Sequence, residues 1–360
     1  MACLKCLIIK ERKTEHPSIK TLLTETTQWG WLTHDKSAGE GGNMIWSEFE
    51  PKRWEETDIN IKVPHCGMRF TDLATVRSGW VTPTQYVPPY PIVAGHEIVG
   101  HIIGARAVGN HKVGDRIGVG CLTDNYASAQ SRLCEACTTG DDPYRTKACW
   151  MSPGPHHYGD KGYGRYATYH RCPGHSAFKL LGEISSPDAA TVMCADITCG
   201  EMVVGRAREL VSWNWAGWDV MGFCPLGALG AEKVVAISRR LGKEKEALEL
   251  GANLYIATDQ PDLVIKTATC ASALTAGYFK QLRYQGKMVQ VGYPDDRVLH
   301  VNLEGSAIRS SEFIQEMLDL AAEKGNKSWI DEWPMTDANA VIVDLAPGKP
   351  RYRYRLVNKE

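Results

Sequence analysis

Midway along the chain the rhythm of its apolar residues changes, and that change limits the fold more than any single motif. From about Asp58 to Arg116 the sequence reads as short strands with turns: Ile59, Ile61 and Val63 alternate with polar residues, and Lys112-Val113-Gly114-Asp115-Arg116 is a turn into the apolar run Ile117-Gly118-Val119-Gly120. A period of two belongs to short, half-buried strands. At Ser186-Pro187-Asp188 a helix starts, with a capping hydroxyl, proline in the first turn and an acid near the positive end. Beyond it, the short apolar runs 233–238, 262–265 and 288–292 are expected to be buried parallel strands, and residues 243–250 a helix stopped by Gly251. Ser311 caps a last helix whose apolar side is Phe313, Met317, Leu320 and Ala321, closed by Gly325. The order is a β-rich lobe, an α/β alternation and a tail. A chain of 360 residues exceeds one comfortable core, so two domains are expected.

Charge and hydropathy exclude several functions. With 41 basic and 42 acidic side chains, no global field recruits nucleic acid or an anionic membrane. No apolar run approaches the roughly 18 residues of a transmembrane helix, and the opening MACLKCLIIKERK is too short and too soon charged for a signal peptide. A cytoplasmic protein is expected. In so long a chain, twelve cysteines read as core thiols or metal ligands rather than disulfides. Trp213, Trp215 and Trp218 crowd one stretch, for which packing at a domain seam is the plain expectation.

Four segments carry candidate chemistry. In YPIVAGHEIVGH, the pair His96-Glu97 stands in an apolar run, and burial of both is costly unless something holds them. His96 reads either as a satisfied core histidine or as a metal ligand. A catalytic zinc takes three protein ligands and keeps one position open, so partners come from elsewhere: Cys66 before the pair or Cys194 after it. Residues 121–164, rich in Cys, Gly, Pro and Asp, read as a long irregular lobe that calls for an internal staple or a functional reason. Its Cys134-Glu135-Ala136-Cys137, with Cys149 and Cys121, is half of a structural zinc site or a pair of free thiols. Pro225-Leu226-Gly227-Ala228-Leu229-Gly230 is a shortened version of the glycine turn that admits a pyrophosphate, with little room before the next strand for a crossing helix. At that strand's end, Ser238, Arg239 and Lys243 replace the acid that holds the ribose hydroxyls of NAD and suit the 2′-phosphate of NADP; a solvated basic helix start is the rival reading.

Taken together, GHEIVGHIIG, KVGDRIGVGCL, Cys-x-x-Cys, GYGRYATYH, MCADIT, VVAISRRLGKEKEALELGA and PRYRYRLV resemble, in order, the zinc-dependent medium-chain alcohol dehydrogenases, and among them the NADP-preferring cinnamyl-alcohol-dehydrogenase branch. The resemblance runs in patches from about Trp29 onward. It implies an α/β protein with a β-rich, GroES-like catalytic domain over residues 1–190, a Rossmann-type doubly wound parallel-sheet cofactor domain over 191–306, and a segment 307–360 that returns to the catalytic domain. The zinc lobe lies near 121–164. His96 and Cys194 resemble the family's zinc ligands and Glu97 the acid beside the metal. Thr71 resembles the proton-relaying hydroxyl, Asp72 the residue that orients ligands, and Thr198 the threonine under the nicotinamide. Leu226, Gly227, Ala228, Leu229 and Gly230 match the pyrophosphate turn, and Ser238, Arg239 and Lys243 the 2′-phosphate set.

The resemblance implies catalytic and structural zinc, NADP, a small alcohol or aldehyde substrate and a homodimer. Its departures are specific. Arg69 stands where the family has its first catalytic-zinc cysteine, leaving Cys66 three residues away as a substitute. Ala74 stands at the relay histidine, and Ser131 and Arg145 at two structural cysteines, with Cys149 or Cys121 as replacements. The activity implied is NADP(H)-dependent interconversion of primary alcohols and aldehydes, cinnamyl-type ones included, with zinc as Lewis acid. The alternatives are a zinc-free NADPH-dependent reductase of activated double bonds or iminium ions, and an inactive nucleotide-binding scaffold.

Overall fold

A computed structural model describes residues 27–79, 89–105, 110–124, 149–150, 154–156, 158–196, 211–214, 234–237, 244–255, 263–266, 287–290, 304–305, 311–325, 328–345, 350 and 353–358. The first half contributes β1 (Gln28–Thr33), β2 (Ile45–Phe49), β3 (Asp58–Met68), α1 (Phe70–Val76), β4 (Ile92–Val93), β5 (Ile98–Ala105), β6 (Arg116–Val119), β7 (Leu122–Asp124), β8 (Cys149–Trp150), β9 (Tyr169–Pro173), β10 (Ala177–Lys179) and α2 (Ser186–Thr191). The second half contributes β11 (Val211–Asn214), β12 (Val234–Ile237), α3 (Glu244–Glu249), β13 (Leu254–Tyr255), β14 (Leu263–Lys266), β15 (Lys287–Gln290), β16 (Glu304–Gly305) and α4 (Ser311–Lys324). It closes with β17 (Ile330–Pro334), α5 (Ala338–Leu345) and β18 (Arg353–Val357).

The alternating segment is β3. Its Ile59, Ile61 and Val63 are wholly buried and pack with Ile98, Ile102, Ile117 and Val119 from β5 and β6. The sheet runs β10-β6-β5-β3-β18-β17, with β9 also paired to β3. β18 joins it antiparallel, with Tyr354 opposite Met68 and Leu356 opposite Cys66. Residues more than 250 positions apart thus lie side by side at the end of β3 from which α1 departs.

The second sheet is wholly parallel, in the order β13-β12-β11-β14-β15-β16. Numbered from its first strand this is 3-2-1-4-5-6, the doubly wound arrangement whose strand order reverses between β11 and β14, where such sheets bind dinucleotides. The apolar runs expected as strands are β12, β14 and β15. The order also needs β11, which the sequence reading did not anticipate and which contains Trp213; Trp215 and Trp218 lie outside the described residues.

Two smaller expectations change. The cap of α2 is Ser185, whose Oγ accepts from the Asp188 amide at 3.1 Å, and Ser186 is the first helical residue. On α4 the buried face is Phe313, Ile314, Met317, Leu318, Ala321 and Ala322, so Leu320 lies at its margin. This face packs on Val192, Met193, Ala189 and Phe178, and Gly325 ends the helix with φ +62°.

β9 buries His170, and burial, with Arg165, His156, Lys52 and Arg171 around it, holds its imidazole well below the ordinary value. The native state keeps this ring neutral while the unfolded chain takes up a proton below about pH 6.5, so stability falls as pH drops through that value. Denaturant unfolding between pH 7 and 5 is expected to show this. A His170→Gln variant should flatten the slope by an amount approaching about 1.4 kcal/mol per pH unit, and an unchanged slope would refute the assignment.

Candidate active site

The site lies where β3 ends, α1 begins and β5 enters the sheet. Arg69 is the N-cap of α1, and its amide donates to Asp72 Oδ2 at 2.8 Å. The second oxygen of Asp72 turns toward the GHE segment, accepting from the Gly95 amide at 3.0 Å and bonding His96 Nδ1 at 2.7 Å. Gly95 has φ +100°, a conformation that L residues rarely adopt, and a Cβ there would fall 2.8 Å from the Tyr166 ring. One buried carboxylate therefore ties the start of α1 to the loop that carries His96.

A carboxylate partner makes Nδ1 the donor of His96, which directs Nε2 to the opposite side. That nitrogen is buried without a hydrogen-bond partner among the described residues. It points at Cys194 and Glu97: one ligand atom from each of the three residues lies within 4.8 Å of the others. Burial by itself would lower His96, but the Asp72 carboxylate and the nearby Cys194 sulfur raise it to about 10. Cys194 is held well below the usual thiol range, first by a hydrogen bond from Cys121 and then, against the cost of burial, by Arg69 and His96.

Glu97 is fully buried and lies between two guanidiniums. Arg69 Nη1 donates to Oε1 at 2.9 Å, and Arg353 Nη1, from β18, lies 3.3 Å from Oε2 and 3.5 Å from Oε1. Burial still raises the carboxyl above its ordinary range, with both arginines opposing. The Gly67 amide donates to the Glu97 carbonyl at 2.8 Å, and a Cβ at Gly67 would fall 2.5 Å from Oε2. Only glycine lets β3 pass this close to the acid.

The sequence candidates divide accordingly. His96, Glu97 and Cys194 come together, Asp72 holds His96, and half-buried Thr71 sits in the first turn of α1. Cys66 does not join them. Its thiol is wholly buried in the apolar core beneath Gly95, and burial pushes it well above the usual range, which disfavours the thiolate a metal requires. Cys121 is placed against Cys194, and burial together with that hydrogen bond raises its own thiol. Its expected use in the structural lobe is therefore replaced by a role beside the site. Thr198, Leu226, Gly227, Ala228, Leu229, Gly230, Ser238, Arg239, Lys243, Cys134 and Cys137 lie outside the described residues. Of Cys149 only the backbone, in β8, is described.

Arg353 was missed as a site residue. Its signal was present in the alternation of arginine and tyrosine in RYRYR, which puts Arg353 and Arg355 on one face of a strand. Both are buried, and a buried guanidinium needs an acid. Arg355 finds Glu332 at 3.1 Å, and Arg353 finds Glu97.

In donor type the residues suit zinc. An imidazole nitrogen whose proton a metal would displace, a depressed thiol and a carboxylate form a three-ligand set that leaves one position open, and Asp72 fixes the imidazole from behind, as metal-binding histidines require. Two groups in the cluster oppose a cation: Arg69, 2.9 Å from Glu97 Oε1, and Arg353 on the other side of the acid.

Residues 55–182 match the alcohol dehydrogenase GroES-like domain. Over 375 residues, covering 96% of this chain and 97% of the relative, the sequence is 30% identical to alcohol dehydrogenase 9 of Catharanthus roseus. It is 29% identical to NADP-dependent alcohol dehydrogenase 6 of Saccharomyces cerevisiae over 86% of this chain and 91% of the relative. Among solved structures, the cinnamyl alcohol dehydrogenase SbCAD4 of Sorghum bicolor superposes with a TM-score of 0.82 at 26% identity, covering 92% of this chain and 99% of that one. A GroES-like sheet, a parallel sheet in doubly wound order, and full-length similarity on both counts lead to one assignment: the chain belongs to the medium-chain alcohol dehydrogenase family, in its cinnamyl-alcohol-dehydrogenase-like branch.

Proposed function

We propose that this chain is an NADP(H)-dependent alcohol dehydrogenase and aldehyde reductase, acting on primary alcohols and aldehydes of cinnamyl type with zinc as Lewis acid. The observation that carries the reading is the orphaned, buried Nε2 of His96 facing Cys194 and Glu97. His96 Nε2 and Cys194 Sγ, with Glu97 as third donor, would hold the ion. Bound there, zinc would polarise the aldehyde oxygen and stabilise the alkoxide form of the alcohol.

The remaining steps fall to the chain's own groups. Asp72 keeps a proton on Nδ1 of His96, so the proton that a metal would displace is the one on Nε2. Arg353 and Arg69 hold Glu97 in a fixed position in the buried centre. Thr71 holds the proton that the carbonyl oxygen gains on reduction and receives it back in oxidation. Leu226–Gly230, which in sequence stands between β11 and β12, would approach the pyrophosphate. Ser238, Arg239 and Lys243 follow β12 and would take the 2′-phosphate, with Thr198 under the nicotinamide. Cys134, Cys137 and Cys149 would form a structural zinc site in the lobe near 121–164.

The division into a catalytic domain (1–190), a cofactor domain (191–306) and a returning segment (307–360) belongs to the same proposal, as does a cytoplasmic homodimer. Among the described residues no helix is long and apolar enough to cross a membrane.

One observation favours a second reading. A guanidinium 2.9 Å from Glu97 offers a positive group for developing negative charge without a metal, as a zinc-free NADPH-dependent reductase needs. Oxidation of NADPH by cinnamaldehyde separates the two. The metal reading expects reduction with NADPH well ahead of NADH, lost on chelation and restored by zinc. Turnover that survives exhaustive chelation selects the metal-free reductase.

A further inference from the structure

Arg69 touches the same carboxylate oxygen that faces the unused nitrogen of His96. Glu97 Oε1 lies 3.9 Å from His96 Nε2 and accepts from Arg69 Nη1 at 2.9 Å. Arg353 is nearer the other oxygen, at 3.3 Å from Oε2 against 3.5 Å from Oε1. The arginines therefore have different places: Arg353 braces the acid from the sheet, and Arg69 holds the oxygen a cation would need.

They also differ in freedom. Glu97 and Arg353 are sealed in, with side chains 0% and 3% exposed, whereas the Arg69 side chain is 15% exposed at the start of α1. When a divalent ion enters, Arg69 is the partner with somewhere to go.

We infer that Arg69 is a built-in competitor for the metal at this centre. Its guanidinium occupies Glu97 Oε1, so the centre takes up zinc weakly and exchangeably, with full coordination only after Arg69 releases that oxygen. This rests on the reading of His96, Glu97 and Cys194 as metal donors. Two physical effects act together. A carboxylate oxygen that already accepts a charge-assisted hydrogen bond has less electron density to give a metal. A fixed positive charge beside the ion also repels it in a buried, weakly screened setting.

The competition is specific to the side chain. Arg69 caps Asp72 through its backbone amide, so a substitution leaves the Asp72–His96 tie in place.

The test uses cobalt(II) as a spectroscopic stand-in for zinc. Metal-free wild type, Arg69→Met and Arg69→Gln are titrated and the cobalt–thiolate absorption is followed, counting only the signal that disappears in Cys194→Ser. Zinc affinity then follows from competition against the cobalt form. Both Arg69 variants are expected to bind about tenfold or more tightly than wild type, the size of effect that groups around metal ligands exert. Either variant suffices if the other fails to fold. Equal or weaker binding by the folded variants, with a clear signal in wild type, overturns the role of Arg69 and leaves the donor set intact. Absence of any Cys194-dependent signal in wild type and variants overturns both.

Discussion

Replacing Glu97 with leucine is expected to destabilise the protein by about 3–5 kcal/mol, the cost of breaking a buried ion pair from one side. The acid is wholly buried and is held by Arg69 and Arg353, the latter only 3% exposed on its side chain. Leucine removes the negative charge and leaves two positive ones, of which Arg353 has no route to water. The penalty therefore comes from what the substitution strands rather than from the bond it deletes. That separation is measurable. Glu97→Leu combined with Arg353→Met should recover much of the loss, because removing both partners removes the uncompensated charge. Urea unfolding of wild type and the two variants decides it. A single-variant loss below about 1 kcal/mol would mean that the pair lies in water-like surroundings, contrary to its burial.

The second large effect concerns catalysis. His96→Gln is expected to lower kcat/KM for NADPH-dependent aldehyde reduction by about a thousandfold, since Lewis-acid stabilisation supplies several kcal/mol and each 1.4 kcal/mol is a factor of about ten. Glutamine is polar enough to bond Asp72, so the fold around α1 should persist and the thermal midpoint should move little beside that of Glu97→Leu. Steady-state kinetics together with bound zinc per chain give the answer. A fall of tenfold or less would make His96 a core histidine and move the chemistry to Arg69.

How much of this was legible in the sequence depended on how local its cause was. β3 was readable because Ile59, Ile61 and Val63 alternate on one sheet. β12, β14 and β15 were readable because each carries a short apolar run of the kind parallel strands show: Val234-Val235-Ala236-Ile237, Leu263-Val264-Ile265 and Met288-Val289. β11 was not, since Val211-Ser212-Trp213-Asn214 mixes polar and apolar residues and takes its place only from two parallel neighbours.

The site divides in the same way. Asp72, His96 and Glu97 lie on short segments with telling neighbours and could be named. That Cys66 turns into the core, that Cys121 meets Cys194, and that Arg353 meets Glu97 are outcomes of packing between distant strands, which local pattern does not encode. The buried arginine in RYRYR was the one long-range signal available, because it states that an acid must exist without saying which.

The position of β18 also bears on how the protein is made. Glu97 and Arg353 are 256 residues apart, and at about 5–20 residues per second a ribosome needs roughly 13–50 s to travel from one to the other. During that interval β3 is on the nascent chain without its β18 neighbour, exposing an open strand edge next to an acid that has Arg69 but lacks its second guanidinium. The parallel sheet encoded in between can collapse first, while the earlier sheet waits for the last strand. Translation through β18 therefore completes both the edge of a sheet and the charge balance of the active site, and chaperone dependence should be concentrated in that waiting period.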